Sequence, residues 1–162
     1  MESVNRFRTV GLAALFALAA APASADVTAF LGVNTTPANR QVRGAALGFG
    51  LLVVGFELEY AYTPDEPDAN APSLKTGTGN LVLQTPVPLF GVQPYFITGG
   101  GFYQEELGPH SDTGIAVNTG GGAKIALAGP IRLRVDYRVF RLGSGALNPT
   151  THRIYAGLNL KF

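Results

Sequence analysis

The segment Thr151-His152-Arg153-Ile154-Tyr155-Ala156-Gly157-Leu158-Asn159-Leu160-Lys161-Phe162 carries the clearest pattern in the chain. From Phe162 back to Ile154, every second residue is apolar, and the residues between them are polar or small. A period of two predicts a β-strand with one apolar and one polar face. An aromatic residue at the end of the apolar face is typical of a strand that meets lipid, because the ring lies at the membrane interface. The segment therefore predicts one strand of a membrane β-barrel.

The first 25 residues have the pattern of a secretory signal peptide. Arg6 and Arg8 form a basic start, the apolar run Val10–Ala21 follows, and Ala23-Ser24-Ala25 supplies a small-residue cleavage site. The apolar run is too short for a spanning helix, although an N-terminal anchor helix is the alternative. We expect a signal peptide at residues 1–25 and a single mature domain at residues 26–162.

Composition excludes several classes of protein. Removing Arg6, Arg8 and Glu2 from 12 basic and 11 acidic residues leaves ten of each, and a neutral chain gives no basis for nucleic-acid binding. The absence of Cys excludes disulfides and thiolate metal sites. After the first segment, no stretch approaches the roughly 20 apolar residues of a membrane helix. A mature chain in a membrane must therefore form a closed barrel.

The rest of the sequence divides into eight segments, most of which alternate. They are Asp26–Asn34, Val42–Gly50, Gly55–Thr63, Leu74–Thr85, Val92–Gln104, Thr113–Ala128, Ile131–Leu142 and Thr151–Phe162. The first, third, fifth and seventh connections are long and polar, among them Glu105–Asp112, and the others are short. This alternation is typical of an outer-membrane barrel with short periplasmic turns and longer external loops. We predict an all-β, eight-stranded, antiparallel up-and-down transmembrane barrel with both termini in the periplasm.

The third and seventh segments carry charges in mid-strand, opposite an almost uncharged face. The charged residues are Glu57, Glu59, Arg132, Arg134, Asp136 and Arg138. A basic side chain facing lipid at the midplane costs about 2–4 kcal/mol, so these side chains should face the lumen. The third and seventh strands of such a barrel lie on opposite walls, and eight strands leave room only for side chains. We expect a plugged lumen held by an ion-pair network; a soluble sandwich with these charges in water is the alternative.

The run Gly120–Gly143, GGGAKIALAGPIRLRVDYRVFRLG, and the ending IYAGLNLKF carry a resemblance to a known family, with the match at Val135-Asp136-Tyr137-Arg138 and Phe162. They resemble the penultimate hairpin and the aromatic end of the small outer-membrane β-barrel proteins of the OmpA, OmpX and opacity-protein type. The resemblance implies insertion by the barrel-assembly machinery, which recognises the C-terminal strand. The residues implied to form that signal are Tyr155, Leu158, Leu160 and Phe162. The resemblance implies no reaction.

Enzymatic and cofactor functions have little support in the residues. Lipid A deacylases of similar architecture use a His and a Ser on one strand face, whereas His110 and Ser111 are adjacent in a segment expected to be a loop. Two distant histidines make a poor metal site. The run Thr119–Lys124 lacks the phosphate-loop spacing. We expect no catalytic, cofactor-binding or metal-binding residues.

Charged residues near the expected external rim suggest contacts with the membrane. Arg43, Arg141 and Arg153 can pair with lipopolysaccharide phosphates, and solubility of the loops is the plainer explanation. The sequence identifies no surface ligand. We expect a non-enzymatic protein of the bacterial outer membrane with a structural role or a surface-interaction role, through adhesion or lipopolysaccharide contact. A lipid A-modifying enzyme and a small-solute pore are the alternatives.

Overall fold

The computed structural model describes residues 23–162, and most of the expected signal peptide lies outside them. Eight strands account for most of this range. They are β1 (Ala23–Asn34), β2 (Arg40–Leu51), β3 (Val54–Thr63), β4 (Ser73–Gln84), β5 (Val92–Leu107), β6 (His110–Ala128), β7 (Ile131–Arg141) and β8 (Thr150–Lys161). A single 3-10 turn at Pro67–Ala69 lies between β3 and β4. Among the residues described, no helix is long and apolar enough to cross a membrane.

The strands form one closed sheet in sequence order. Each strand pairs in antiparallel fashion with the next, and β8 returns to pair with β1, from Asp26 opposite Lys161 to Asn34 opposite Arg153. Closure leaves no sheet edge along the paired part of the wall, so backbone donors and acceptors are satisfied without water. The predicted eight-stranded antiparallel barrel is confirmed.

The two faces of the wall have opposite character. Large apolar side chains lie on the outer face, for example Phe56, 66% exposed, and Leu158, 60% exposed. The inner face carries charged and polar side chains, and Arg134 and Arg138 have no exposed surface. A soluble barrel has the reverse arrangement, with apolar residues inside. An apolar exterior around a polar interior is the structure of a barrel that spans a membrane.

The segment Glu105–Asp112 is not a loop, and that prediction is wrong. β5 continues to Leu107 and β6 begins at His110, and a turn at residues 108–109 joins the two strands. Gly108 adopts a positive φ of 55° there, which favours glycine. The segment is polar because it extends into water, where a strand needs no apolar face. The fifth connection is therefore short, and the fourth, residues 85–91, is longer, so the predicted alternation of loop lengths fails at these two positions.

β1 and β2 begin two or more residues earlier than the patterns predicted. β1 starts at Ala23, three residues before the expected mature N-terminus, and Ala23 pairs with Leu51 of β2. β2 starts at Arg40, whose guanidinium donates to the carbonyl of Pro64 at 3.0 Å and to that of Pro72. The sequence pattern missed this start of β2, because the residues before Val42 are proline and polar residues. The side chain of Arg40 holds the neighbouring β3–β4 connection.

Glycines of β6 lie beside the charged strand β7. Gly120 is paired with Arg138 and Gly122 with Asp136. A Cβ atom on Gly120 would meet the Cγ of Arg138 at 3.0 Å. Glycine in β6 therefore makes the interior room that the β7 side chains occupy.

Candidate functional site

Two carboxylates of β3 face two guanidinium groups of β7 in the middle of the lumen. Arg138 Nη2 lies 3.0 Å from Glu57 Oε1 and 3.0 Å from Glu59 Oε2. Arg134 binds Glu57 through both terminal nitrogens, with Nη2 donating to Oε1 at 3.2 Å. These contacts join opposite walls of the barrel across its interior.

Asp136 lies between the two arginines on the same strand. Arg138 Nε donates to Asp136 Oδ1 at 2.8 Å, and Arg134 Nη2 donates to Asp136 Oδ2 at 3.2 Å. Tyr95 of β5 donates its hydroxyl to Asp136 and accepts from Arg134 Nε at 2.7 Å. The sequence pattern did not single out Tyr95, although its position on the polar parity of β5 places it inside.

Arg153 completes this cluster and is not a rim residue, so its assignment to a lipopolysaccharide-contacting rim is wrong. Its side chain has no exposed surface, and Nη1 donates to Glu59 Oε1 at 3.1 Å. Nε donates to Asn34 at 3.2 Å and Nη2 to Thr76 at 3.1 Å. Arg153 shares the parity of Tyr155, the lumen face of β8, and that parity was the signal for its true position.

The mid-lumen cluster therefore contains three guanidinium groups and three carboxylates, all of them buried. Its members are Glu57, Glu59, Arg134, Asp136, Arg138 and Arg153. Tyr155 packs into it, since Arg138 Nη2 donates to the tyrosine hydroxyl at 3.0 Å. Buried charges are tolerated when each one is paired and hydrogen-bonded. The cluster is electrically neutral and fills the cross-section of the barrel.

A second charged group lies closer to the turns that join β2 to β3 and β6 to β7. Lys124 of β6 lies 2.6 Å from Asp26 Oδ2, and Arg132 lies 3.8 Å from the same oxygen. Arg132 also donates to Gln93 at 3.0 Å. Arg132 was expected in one network with Glu57, but the structure places it in this separate group. The cavity beside Lys124 and Asp26 measures about 20 Å³, which is room for roughly one water molecule.

The opposite mouth of the barrel is covered by its own loops. Glu105 of β5 is 1% exposed, and its Oε1 accepts from the backbone N–H of Leu147 at 2.7 Å. Ala146 packs in the same place against Tyr103 and Leu74. The β7–β8 connection is thus fixed over the lumen by a buried carboxylate and a small apolar cluster.

The two histidines lie apart and on different faces. His110 Nε2 lies 3.0 Å from Glu105 Oε1 on the lumen side of β6, whereas Ser111, next along the strand, is exposed on the outer side. His152 lies outside the barrel, with Nδ1 2.8 Å from the hydroxyl of Tyr137. Within residues 23–162, no three His, Asp or Glu side chains gather in an arrangement that would hold a metal ion.

The remaining candidate residues lie on the outer wall. Arg43 and Arg141 are exposed, and the Arg43 guanidinium carbon lies 5.5 Å from the centre of the Tyr62 ring. Of the residues expected to form the insertion signal, Leu158 and Leu160 on β8 and Phe162 directly after it are exposed and apolar. The fourth, Tyr155, is 1% exposed and faces the lumen.

Solved structures share this architecture. The N-terminal barrel domain of Pseudomonas aeruginosa OprF has a TM-score of 0.68 at 15% identity, over 86% of this chain and 97% of that one. Neisserial surface protein A has a TM-score of 0.68 at 16% identity, with the same coverage of both chains. The chain has the fold of the small outer-membrane β-barrels.

A third solved structure has the same fold. Ail, the attachment invasion locus protein of Yersinia pestis, in complex with the heparin analogue sucrose octasulfate, has a TM-score of 0.56 at 12% identity, over 86% of this chain and 97% of that one. No protein-family model matches the sequence, and no curated protein matches it. At these identities the likeness defines the fold, and the role must be argued from the residues.

Proposed function

We propose that this chain is a non-enzymatic protein of the bacterial outer membrane whose closed barrel holds surface loops in place, in a structural or surface-interaction role. Both termini lie on the periplasmic side, and the projecting β5–β6 hairpin and the β1–β2, β3–β4 and β7–β8 connections lie outside the cell. The observation that carries the proposal is the neutral cluster of six charged side chains across the lumen. A lumen filled in this way supports the wall and leaves no path for solutes.

The loops supply the surface for interaction. Their fixed arrangement, with Glu105 holding Leu147 and Arg40 holding Pro64, makes them a defined surface at the barrel mouth. Neighbours of this fold include a protein named for attachment and invasion. Surface contact is therefore the role that the external end of the barrel fits best.

A recording of single-channel conductance tests the closed lumen. Folded protein in planar lipid bilayers should give no large, stable channel, because the mid-lumen cluster occupies the cross-section. Neisserial surface protein A and the N-terminal barrel domain of OprF, refolded in the same way, are the comparison samples, because their fold is known. Large stable openings from protein that runs as the folded form on unheated gels would contradict the proposal and favour the small-solute pore.

The location has its own test. Fractionation of cells that express the full chain should place the protein in the outer membrane, with a mobility shift between unheated and boiled samples. Assembly by the barrel-insertion machinery belongs to the same proposal, so Phe162→Ala should lower the folded fraction in the outer membrane. A soluble periplasmic protein without the mobility shift would contradict the location, and full assembly of Phe162→Ala would contradict the role of Phe162.

A further inference from the structure

A groove on the outer wall of the barrel, of about 840 Å³, crosses β8, β1, β2 and β3. Ala29 and Ala45 lie opposite each other on β1 and β2, Ala156 lies diagonally from Ala29 on β8, and larger side chains flank them. The floor is formed by Ala29, Ala45 and Ala156, the sides by Tyr60 and Leu158, and the upper end by Arg43. The groove therefore lies where lipid chains surround the barrel, and it is shaped by the chain's own small and large residues.

The register shows the direction of the groove. Leu158 pairs with Ala29, Ala29 pairs with Ala45, and Ala45 pairs with Tyr60, so one row of paired residues crosses four strands. In the adjacent row, Arg43 pairs with Tyr62 close to the external end of β3. Because barrel strands are tilted, such rows slope through the membrane. The groove runs from a basic residue near the external interface down toward the bilayer interior.

Arg43 has no carboxylate partner within residues 23–162. Arg43 is the only Asp, Glu, Lys or Arg at an outward position of these four strands, as far as residues 23–162 show. It makes no salt bridge within that range. A cation on the lipid-facing wall needs an anion at the interface, and a lipid phosphate is the anion available at that depth.

We propose that this groove binds one phosphorylated glycolipid of the lipid A type, with an acyl chain along Ala29, Ala45 and Ala156 and a phosphate on Arg43. An acyl chain fits over these alanines along the side of Leu31, which lies between Arg43 and Ala156 in the adjacent row. The aromatic ring of Tyr62 holds the guanidinium at the level of the head group. Placing the lipid in the external leaflet rests on the proposed orientation of the barrel. The occupant is a lipid and not a second copy, because the groove joins an apolar trough to a single unpaired cation.

Native mass spectrometry of the folded barrel in a nonionic detergent tests the site, with diphosphoryl lipid A as the probe. Dephosphorylated lipid A and phosphatidylethanolamine are the comparison lipids. Wild-type protein should retain one lipid A and much less of the other two. Arg43→Gln should weaken retention by roughly tenfold, the factor for loss of one charge-assisted contact. Ala45→Leu, which fills the trough from an exposed position, should weaken retention to a similar degree.

Two control variants lie on the outer wall away from the groove. Arg141→Gln removes an outward cation at the end of β7, and Ala123→Leu enlarges an outward alanine on β6. Both should retain lipid A as the wild type does. If Arg43→Gln and Ala45→Leu retain as much lipid A as the wild type, the proposal is overturned. It is also overturned if the wild type retains dephosphorylated lipid A as well as it retains diphosphoryl lipid A.

The oligomeric state and the conductance of the same samples provide two further tests. Dimers that disappear in Ala45→Leu, with no lipid retained by the wild type, would assign the groove to a second copy and overturn the proposal. Conductance measured on the same samples separates this test from that of the closed lumen. An open channel with normal lipid retention would contradict the proposed function and leave the lipid site intact.

Discussion

Arg134→Met is expected to destabilise the barrel by about 3–5 kcal/mol, the cost of leaving a buried charge without its partner. Arg134 has no exposed surface and binds Glu57, Asp136 and Tyr95. Its removal gives the mid-lumen cluster a net negative charge in a place that water does not reach. Urea unfolding of protein refolded in lipid vesicles, followed by gel mobility, measures the change.

The double variant Arg134→Met/Glu57→Gln provides the control for this prediction. It removes one charge of each sign, so the cluster is neutral again, and part of the stability lost in Arg134→Met should return. Arg141→Met, at an exposed position without an ion pair in residues 23–162, should change stability by no more than about 0.5 kcal/mol. If Arg134→Met is as stable as Arg141→Met, the cluster does not support the barrel as described. The same conclusion follows if the double variant recovers none of the stability lost in Arg134→Met.

Gly101→Ala is expected to destabilise the barrel by about 1–3 kcal/mol, because a Cβ atom there would run into the backbone of β4. The atoms it would meet include the carbonyl oxygen of Gly77 and, at 2.7 Å, the Cα of Thr78. Backbone in a closed sheet cannot move aside without breaking the ladder. The same urea titration in vesicles measures this change.

Gly77→Ala is the matched control, since Gly77 lies on the adjacent strand and a Cβ there would meet nothing within 4 Å. Both substitutions reduce the freedom of the unfolded chain equally, so the difference between them reports the folded state. A Gly101→Ala protein as stable as Gly77→Ala would show that the wall relaxes around the added methyl group, contrary to this prediction.

Strand parity predicted the faces of the wall well. Two-residue alternation placed Phe56 and Leu158 outside and Glu57 and Arg138 inside, and the structure has all four there. Parity also contained the true position of Arg153, and the error arose from judging that residue by its distance from the strand end. Alternation is a strong signal because one outer face meets lipid and permits almost no charge.

Parity could not predict which charges pair. Asp26 and Lys124 are 98 residues apart, and their contact depends on the tilt of the strands and the register of closure, which no local pattern encodes. The hairpin beyond Gln104 was missed for a different reason. Its residues are polar on both faces, and a strand in water has the composition of a loop.

The ion pairs of the lumen join residues that are far apart in sequence. Glu57 meets Arg134 across 77 positions, and Glu59 meets Arg153 across 94. The carboxylates of β3 therefore lack their arginine partners until β7 and β8 have joined the sheet, and a barrel without those two strands would hold unpaired charges. We expect neutralisation of the lumen to coincide with closure of the sheet, because unpaired charges are costly in lipid.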